Sequence, residues 1–233
     1  MITLVVSGHE LDTSPIEVGG DSYRHLFRAR RLELGARVRV VDGEGHARWS
    51  MVERVDRTAA KLVVAGEAPS NEPERELTIL VAAPRIQRAA WLVEKVTEVG
   101  AVAVRFINSE RSPRSYGKAS LGRLRRLAAA AVEQCHRARV PEITGVHSFS
   151  ELADLLTACR ERWFLDLEGA AGIDAGAGPV GLLVGPEGGW TESERENLLA
   201  LDCRPWGLGA RTLRVETAAV AGSSLLLLTK IAV

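Results

Sequence analysis

The spacing of apolar and polar positions changes along the chain, and the change divides it in two. Up to about residue 68 the pattern is short and strand-like. Arg37-Val38-Arg39-Val40 alternates at period two, Asp42-Gly43-Glu44-Gly45 supplies a turn, and His46 to Val55 returns, which predicts a hairpin. Lys61 to Ala65 adds another strand, and Tyr23 to Leu32 forms a basic helical stretch that holds Arg24, Arg28, Arg30 and Arg31. Pro69-Ser70-Asn71-Glu72-Pro73-Glu74 suits neither helix nor strand. The expected organisation is therefore a small β-barrel or sheet over 1–68, a linker over 69–75 and a second domain over 76–233.

In that second domain strands and helices alternate, the pattern of an α/β fold with a mainly parallel sheet. The expected strands are Leu77 to Ala83, Val102 to Ile107, Trp163 to Leu167, Val180 to Val184 and Pro205 to Leu208. Between the first two, Gln87 to Val99 repeats apolar residues at helical spacing and ends on Gly100, a natural cap. Leu121 to His136 does the same through Leu124, Ala128, Ala131 and Cys135. Ser148 and Glu151 stand at capping-box spacing before a further helix, and Ala218 to Val233 forms an apolar final one.

Composition adds limits. At 233 residues and 46% hydrophobic, the chain can bury a substantial core. Its longest apolar run, Leu127 to Val132, is too short to cross a membrane, and the segment from Met1 to Ser7 lacks the basic leader of a signal peptide. Cys135, Cys159 and Cys203 form no CxxC pair, so they are expected to fill apolar space in a cytoplasmic protein, with no metal site. The zero net charge hides an asymmetry: residues 76–145 hold 12 basic and 6 acidic side chains, against 11 and 12 before them and 7 and 12 after. Such a block fits a polyanion-binding face or a solvated basic surface, and the clustering of its arginines favours the first.

Two glycine-bearing segments carry the candidate chemistry. Gly185-Pro186-Glu187-Gly188-Gly189 leaves the strand Val180 to Val184, and Thr191 with Glu194 forms a second capping box just beyond it. With no Gly-Lys-Ser or Gly-Lys-Thr this is not a phosphate-cradling loop; it is either a backbone-read ligand wall or a plain strand-to-helix connection. The second segment, Leu208-Gly209 running to Leu213-Arg214-Val215-Glu216-Thr217-Ala218, repeats the arrangement at the next strand exit. Gly176-Ala177-Gly178-Pro179-Val180-Gly181 matches GxGxxG but precedes a strand, which removes it as a dinucleotide site.

Both glycine segments, with Glu94-Lys95-Val96-Thr97-Glu98-Val99-Gly100-Ala101, Ser109-Glu110-Arg111-Ser112, Glu133-Gln134-Cys135-His136-Arg137-Ala138-Arg139-Val140-Pro141-Glu142, His25-Leu26-Phe27-Arg28-Ala29-Arg30-Arg31-Leu32 and Val41-Asp42-Gly43, resemble the RsmE family of ribosomal RNA methyltransferases, in the SPOUT class. The resemblance covers nearly the whole chain. It implies a PUA-like β-barrel for RNA binding, followed by an α/β domain closed by a trefoil knot. It also implies methylation of uracil N3 in 16S ribosomal RNA, with S-adenosylmethionine as cofactor. The partners would be small-subunit ribosomal RNA or the assembled small subunit and a second copy of the chain, with no membrane.

On that resemblance, one cofactor wall is expected from Gly185, Pro186, Glu187 and Gly188, and the other from Leu208, Gly209, Leu213 and Thr217. Arg214 or Arg211 would stabilise charge on the uracil oxygens, and Glu216 would orient that arginine or accept the proton; alternatively Arg214 and Glu216 merely pair and cap the last helix. Arg24, Arg28, Arg31, Arg111, Arg114, Lys118, Arg137 and Arg139 are the expected RNA contacts. Where the family often carries Lys-Gly, this chain reads Ala83-Pro84-Arg85-Ile86-Gln87-Arg88, so Arg85 or Arg88 would have to replace the charge. A ribose 2'-O-methyltransferase and a noncatalytic RNA-binding module are the other readings; intact glycine segments argue against the latter.

Overall fold

A computed structural model describes residues 1–29, 31–172, 176 and 178–228. They form two compact units, one of Met1–Glu72 with Ala129–Val140 and the other of Pro73–Ala128 with Pro141–Val233. Residues 129–140, which the sequence pattern puts in the second domain, thus pack with the first. The reason lies in the expected linker: Glu72 accepts the N–H groups of Ala138 and Arg139 at 2.8 and 2.9 Å and pairs with the guanidinium of Arg137, which is only 3% exposed.

The first unit contains β1 (Thr3–Val5), α1 (Gly8–Leu11), β2 (Ile16–Val18) and α2 (Gly20–Tyr23), then a π-helical turn over Arg24–Ala29. β3 (Arg37–Val41), β4 (Ala47–Val55) and β5 (Ala60–Glu67) follow. The five strands form one mixed sheet in the order β1-β3-β4-β5-β2, with β1 parallel to β3 and the other pairs antiparallel. The β3–β4 turn is built by Asp42, whose Oδ1 accepts the N–H groups of Glu44, Gly45 and His46 at 2.7 to 3.0 Å. Leu4, Ile16, Leu26, Val38, Val40 and Leu62 belong to the core beneath. Period-two alternation fails at Arg39, which is fully buried: its guanidinium donates to the carbonyls of Pro69, Ser70 and Arg137, so the charge is satisfied inside the unit. The expected helix Tyr23 to Leu32 is instead α2 plus the π-turn, and Arg30 lies outside the described residues.

The second unit contains β6 (Leu77–Ala82), α3 (Ile86–Val99), β7 (Ala103–Ile107), the greater part of α4 (Lys118–Cys135), β8 (Glu142–His147) and α5 (Leu152–Leu155). These lead to β9 (Glu161–Ala171), β10 (Val180–Val184), α6 (Glu192–Ala200), β11 (Arg204–Gly207) and α7 (Val215–Leu227). The sheet order is β11-β9-β10-β6-β7-β8, and every pairing in it is parallel. All five residues of β10 are buried, as a central strand covered on both faces requires. Both expected capping boxes form, at Ser148 with Glu151 and at Thr191 with Glu194. Hydrogen bonds from Ser148 hold the Glu151 carboxyl down at about 2. Cys159 and Cys203 are buried, with burial pushing the Cys203 thiol up to about 12, whereas Cys135 is half-buried. The final helix begins at Val215 rather than Ala218, and 229–233 lie outside the described residues.

One irregularity shapes the site. On β11, Pro205 faces Phe164 and the next residue, Trp206, faces Ala170, so residues 165–169 of β9 form a bulge with no partner on β11. The two backbones then touch. A Cβ on Gly169 would lie 2.6 Å from backbone atoms of Trp206, and one on Gly207 would lie 2.5 Å from the Gly169 carbonyl oxygen. No side chain fits at either position.

Candidate active site

Three chain segments meet at the carboxyl ends of β9, β10 and β11, where parallel sheets commonly leave a crevice. They enclose a cavity of about 280 Å³, near the lower end of the range for small-molecule sites. The β9 loop contributes Leu165, Asp166, Leu167 and Glu168; the segment after β10 contributes Gly185, Pro186, Glu187, Gly189 and Trp190; the segment after β11 contributes Leu208, Gly209, Arg211, Thr212 and Leu213. Val215 and Ala218, three apart and hence on one face of α7, close it.

Each wall has its own support. In the segment after β10, the N–H of Gly189 donates to the Pro186 carbonyl at 2.9 Å, making a tight turn, and Trp190 Nε1 donates to the Leu165 carbonyl at 3.1 Å, which ties this turn to the β9 loop. Arg195 of α6 pairs with Asp166 and lies 3.3 Å from Glu168, holding the loop from its other side. Arg111 donates to the carbonyls of Gly188 and Trp190. The third wall differs. Among the described residues, no hydrogen bond engages the backbone of 208–213, so its amides and carbonyls are available to a ligand.

The expected catalytic pair does not form as a pair. Glu216 is 8% exposed, and its ion-pair partner is Arg88 of α3, with Nε 3.7 Å from Oε1; Glu216 Oε2 is buried without a hydrogen bond. Arg88 also pairs with Glu187 on the cavity wall, so one guanidinium joins that wall to the first turn of α7. Arg214 is the exposed N-cap residue of α7, and its side chain makes no hydrogen bond or ion pair among the described residues. Removing the bridge should loosen both carboxylates. Arg88→Ala is expected to lower the thermal midpoint through about 1 kcal/mol of lost pairing around the buried Glu216, and calorimetric unfolding checks it.

The family comparison follows from this architecture. The RNA methyltransferase domain family matches residues 71–227, and the RNA methyltransferase PUA domain family matches 18–65. A Ribosomal RNA small subunit methyltransferase E from Mycobacterium bovis is 30% identical, over 89% of this chain and 84% of its own. The chain belongs to the ribosomal RNA small subunit methyltransferase E family. A Synechocystis member of this family is 27% identical over 92% of this chain and 73% of its own. A Neisseria gonorrhoeae member, solved bound to S-adenosyl methionine, superposes with a TM-score of 0.86 at 23% identity, over 97% of this chain and 96% of its own, and shows the same fold.

Within the family fold, Gly185, Pro186, Glu187, Leu208, Gly209, Leu213 and Arg211 of the sequence-derived set line the cavity. Gly188 and Thr217 do not; the Gly188 carbonyl is held by Arg111, and Thr217 is exposed, turned from the face of Val215 and Ala218. Of the expected RNA contacts, Arg137 is buried against Glu72, while Arg139 gives only its backbone N–H to the same carboxylate and is half-buried. Arg111 is committed to the cavity turn. Arg24 pairs with Asp21, Arg28 donates to the Arg57 carbonyl at 2.9 Å, and Arg31, Arg114 and Lys118 are exposed. Sequence reasoning missed the β9 loop, Trp190 and Arg195. The available signals were the acids Asp166 and Glu168 and a glycine, Gly169, directly after the apolar run Trp163-Phe164-Leu165.

Proposed function

We propose that the chain transfers a methyl group from S-adenosylmethionine to N3 of a uridine in 16S ribosomal RNA, presented as small-subunit RNA or as the assembled subunit. The observation that carries this reading is the cavity: apolar walls from Leu165, Leu208 and Leu213 beside an unpaired backbone over 208–213. A purine has flat apolar faces and a polar edge, and this lining offers a partner for each. The bound cofactor supplies an electrophilic methyl group. Gly185, Pro186, Glu187, Leu208, Gly209 and Leu213 hold it, with Gly188 and Thr217 acting through the wall residues beside them.

As uracil N3 takes up the methyl group it gives its proton to solvent water, and on the way negative charge spreads onto O2 and O4. Arg214, assisted by Arg211 on the wall, supplies positive charge there. Glu216 acts as a positioning group through Arg88, which the 3.7 Å contact supports. Arg24, Arg28, Arg31, Arg114 and Lys118 meet RNA phosphates.

The same reading includes a trefoil knot, which the family resemblance implies, and a cytoplasmic homodimer. Exposed Trp91 on α3 and Leu225 on α7, two helices packed on each other, support the dimer. No described helix is long and apolar enough to cross a membrane. Incubation of labelled cofactor with undermethylated small subunits, followed by digestion to nucleosides, tests the activity. Label on the base of uridine is the expected result; label on ribose would replace it with 2'-O-methylation, and no transfer would leave an RNA-binding module.

A further inference from the structure

A second depression lies at the carboxyl ends of β6 and β7, distinct from the cofactor cavity. It is an open cleft of about 810 Å³ between the start of α3 and the segment 108–116. Its lining includes Arg85, Gln87, Asn108, Arg114 and Tyr116, with no carboxylate anywhere on its wall. Both arginines are exposed, and neither side chain makes a hydrogen bond or ion pair among the described residues. Two guanidinium groups facing one cleft, with no carboxylate between them, favour an anion there.

The walls are fixed before any ligand arrives. Tyr116 Oη donates to the Pro84 carbonyl and Ser112 Oγ to the Ala83 carbonyl at 3.4 Å, while Asn108 Oδ1 accepts the N–H of Arg114 at 2.9 Å. Burial pushes the Tyr116 phenol upward, so it stays neutral and adds no negative charge. The cleft also adjoins the cofactor site on two sides. Arg88, one residue beyond Gln87, pairs with Glu187, and Arg111, on the same segment as Arg114, holds the carbonyls of Gly188 and Trp190. The turn that forms one wall of the cofactor cavity is therefore gripped by both sides of the cleft.

We infer that this cleft is a subsite for the RNA strand flanking the target uridine, in which Arg85 and Arg114 hold a backbone phosphate. The inference rests on the proposed methyltransferase function and assigns the strand a place beside it. A phosphodiester supplies the missing negative charge, and a cleft of this size holds a nucleotide as well as its phosphate.

The test measures affinity for undermethylated small subunits as a function of salt, for the full chain and for Arg85→Ala, Arg114→Ala and the double variant. Each single substitution should weaken binding about tenfold, and the slope of log affinity against log salt should flatten by about 0.7 per arginine removed. The heat of S-adenosylmethionine binding, measured alongside, should stay at the parent value and shows that each variant is folded. Arg160→Ala, the same charge loss just before the start of β9 and hence at the amino end of a parallel sheet whose carboxyl end carries the cleft, should leave affinity unchanged. Parent affinity and slope in the double variant would overturn the subsite. So would an equal loss in Arg160→Ala, which would mean diffuse attraction. Methyl transfer by the parent chain is scored separately, so failure of the proposed activity is distinguishable from failure of the subsite.

Discussion

Arg214→Ala is expected to reduce turnover by about 10²- to 10³-fold while leaving the heat of S-adenosylmethionine binding unchanged, the signature of a group needed only as charge develops. The structure separates these two effects. Arg214 is the exposed N-cap of α7 and does not line the cavity, so its loss should spare the cofactor walls. Its guanidinium has no partner among the described residues, so it reaches the transition state without first breaking a pair. The alternative, in which Arg214 and Glu216 simply neutralise each other, does not fit a Glu216 that faces Arg88. Single-turnover methyl transfer and titration calorimetry on the same preparation make the comparison; unchanged turnover would move the cation's role to Arg211.

Gly209→Val is expected to give the opposite result, with cofactor binding lost first. Gly209 has φ +99°, a region that β-branched residues avoid, and nothing lies within 4 Å of the position where a Cβ would sit. The penalty therefore comes from backbone strain, on the order of 1–3 kcal/mol, concentrated in the unpaired wall 208–213. An affinity loss of about ten- to a hundredfold should follow, without collapse of the buried core. Calorimetric titration of S-adenosylmethionine reads it directly, and parent affinity would remove this wall from the cofactor site.

Much of this architecture was legible because local rules and tertiary packing agree over most of the second unit. The apolar run of β10 and the helical spacing of α3 report burial, and two capping boxes mark helix starts at Ser148 and Thr191. β1 and β2 have three residues each, too few for a period to declare itself, and β8 carries Gly145 and two half-buried polar positions. Arg39 and Arg137 read as surface charges because nothing local reveals that the carbonyls of Pro69 and Ser70 and the carboxylate of Glu72 await them. At the site, the glycine segments were visible as backbone signals. The β9 loop was hidden, since its departure from the ladder is set by a partner strand some forty residues later. The ion-pair partner of Glu216 was not legible: Arg88 lies far away in sequence and reaches it only through the packing of α3 on α7.

The backbone contact between Gly169 and Gly207 bears on how the protein matures. β9 and β11 can meet there only after the chain has been made past Gly207, and the remaining wall, 208–218, follows that contact in sequence. The ligand cavity is thus among the last features a growing chain completes, well after the segments of the N-terminal sheet have been made. Any molecule that fills it will favour the finished arrangement over every partly assembled one, in proportion to its concentration. A cofactor held here serves as a closing brace for the fold as well as a reagent.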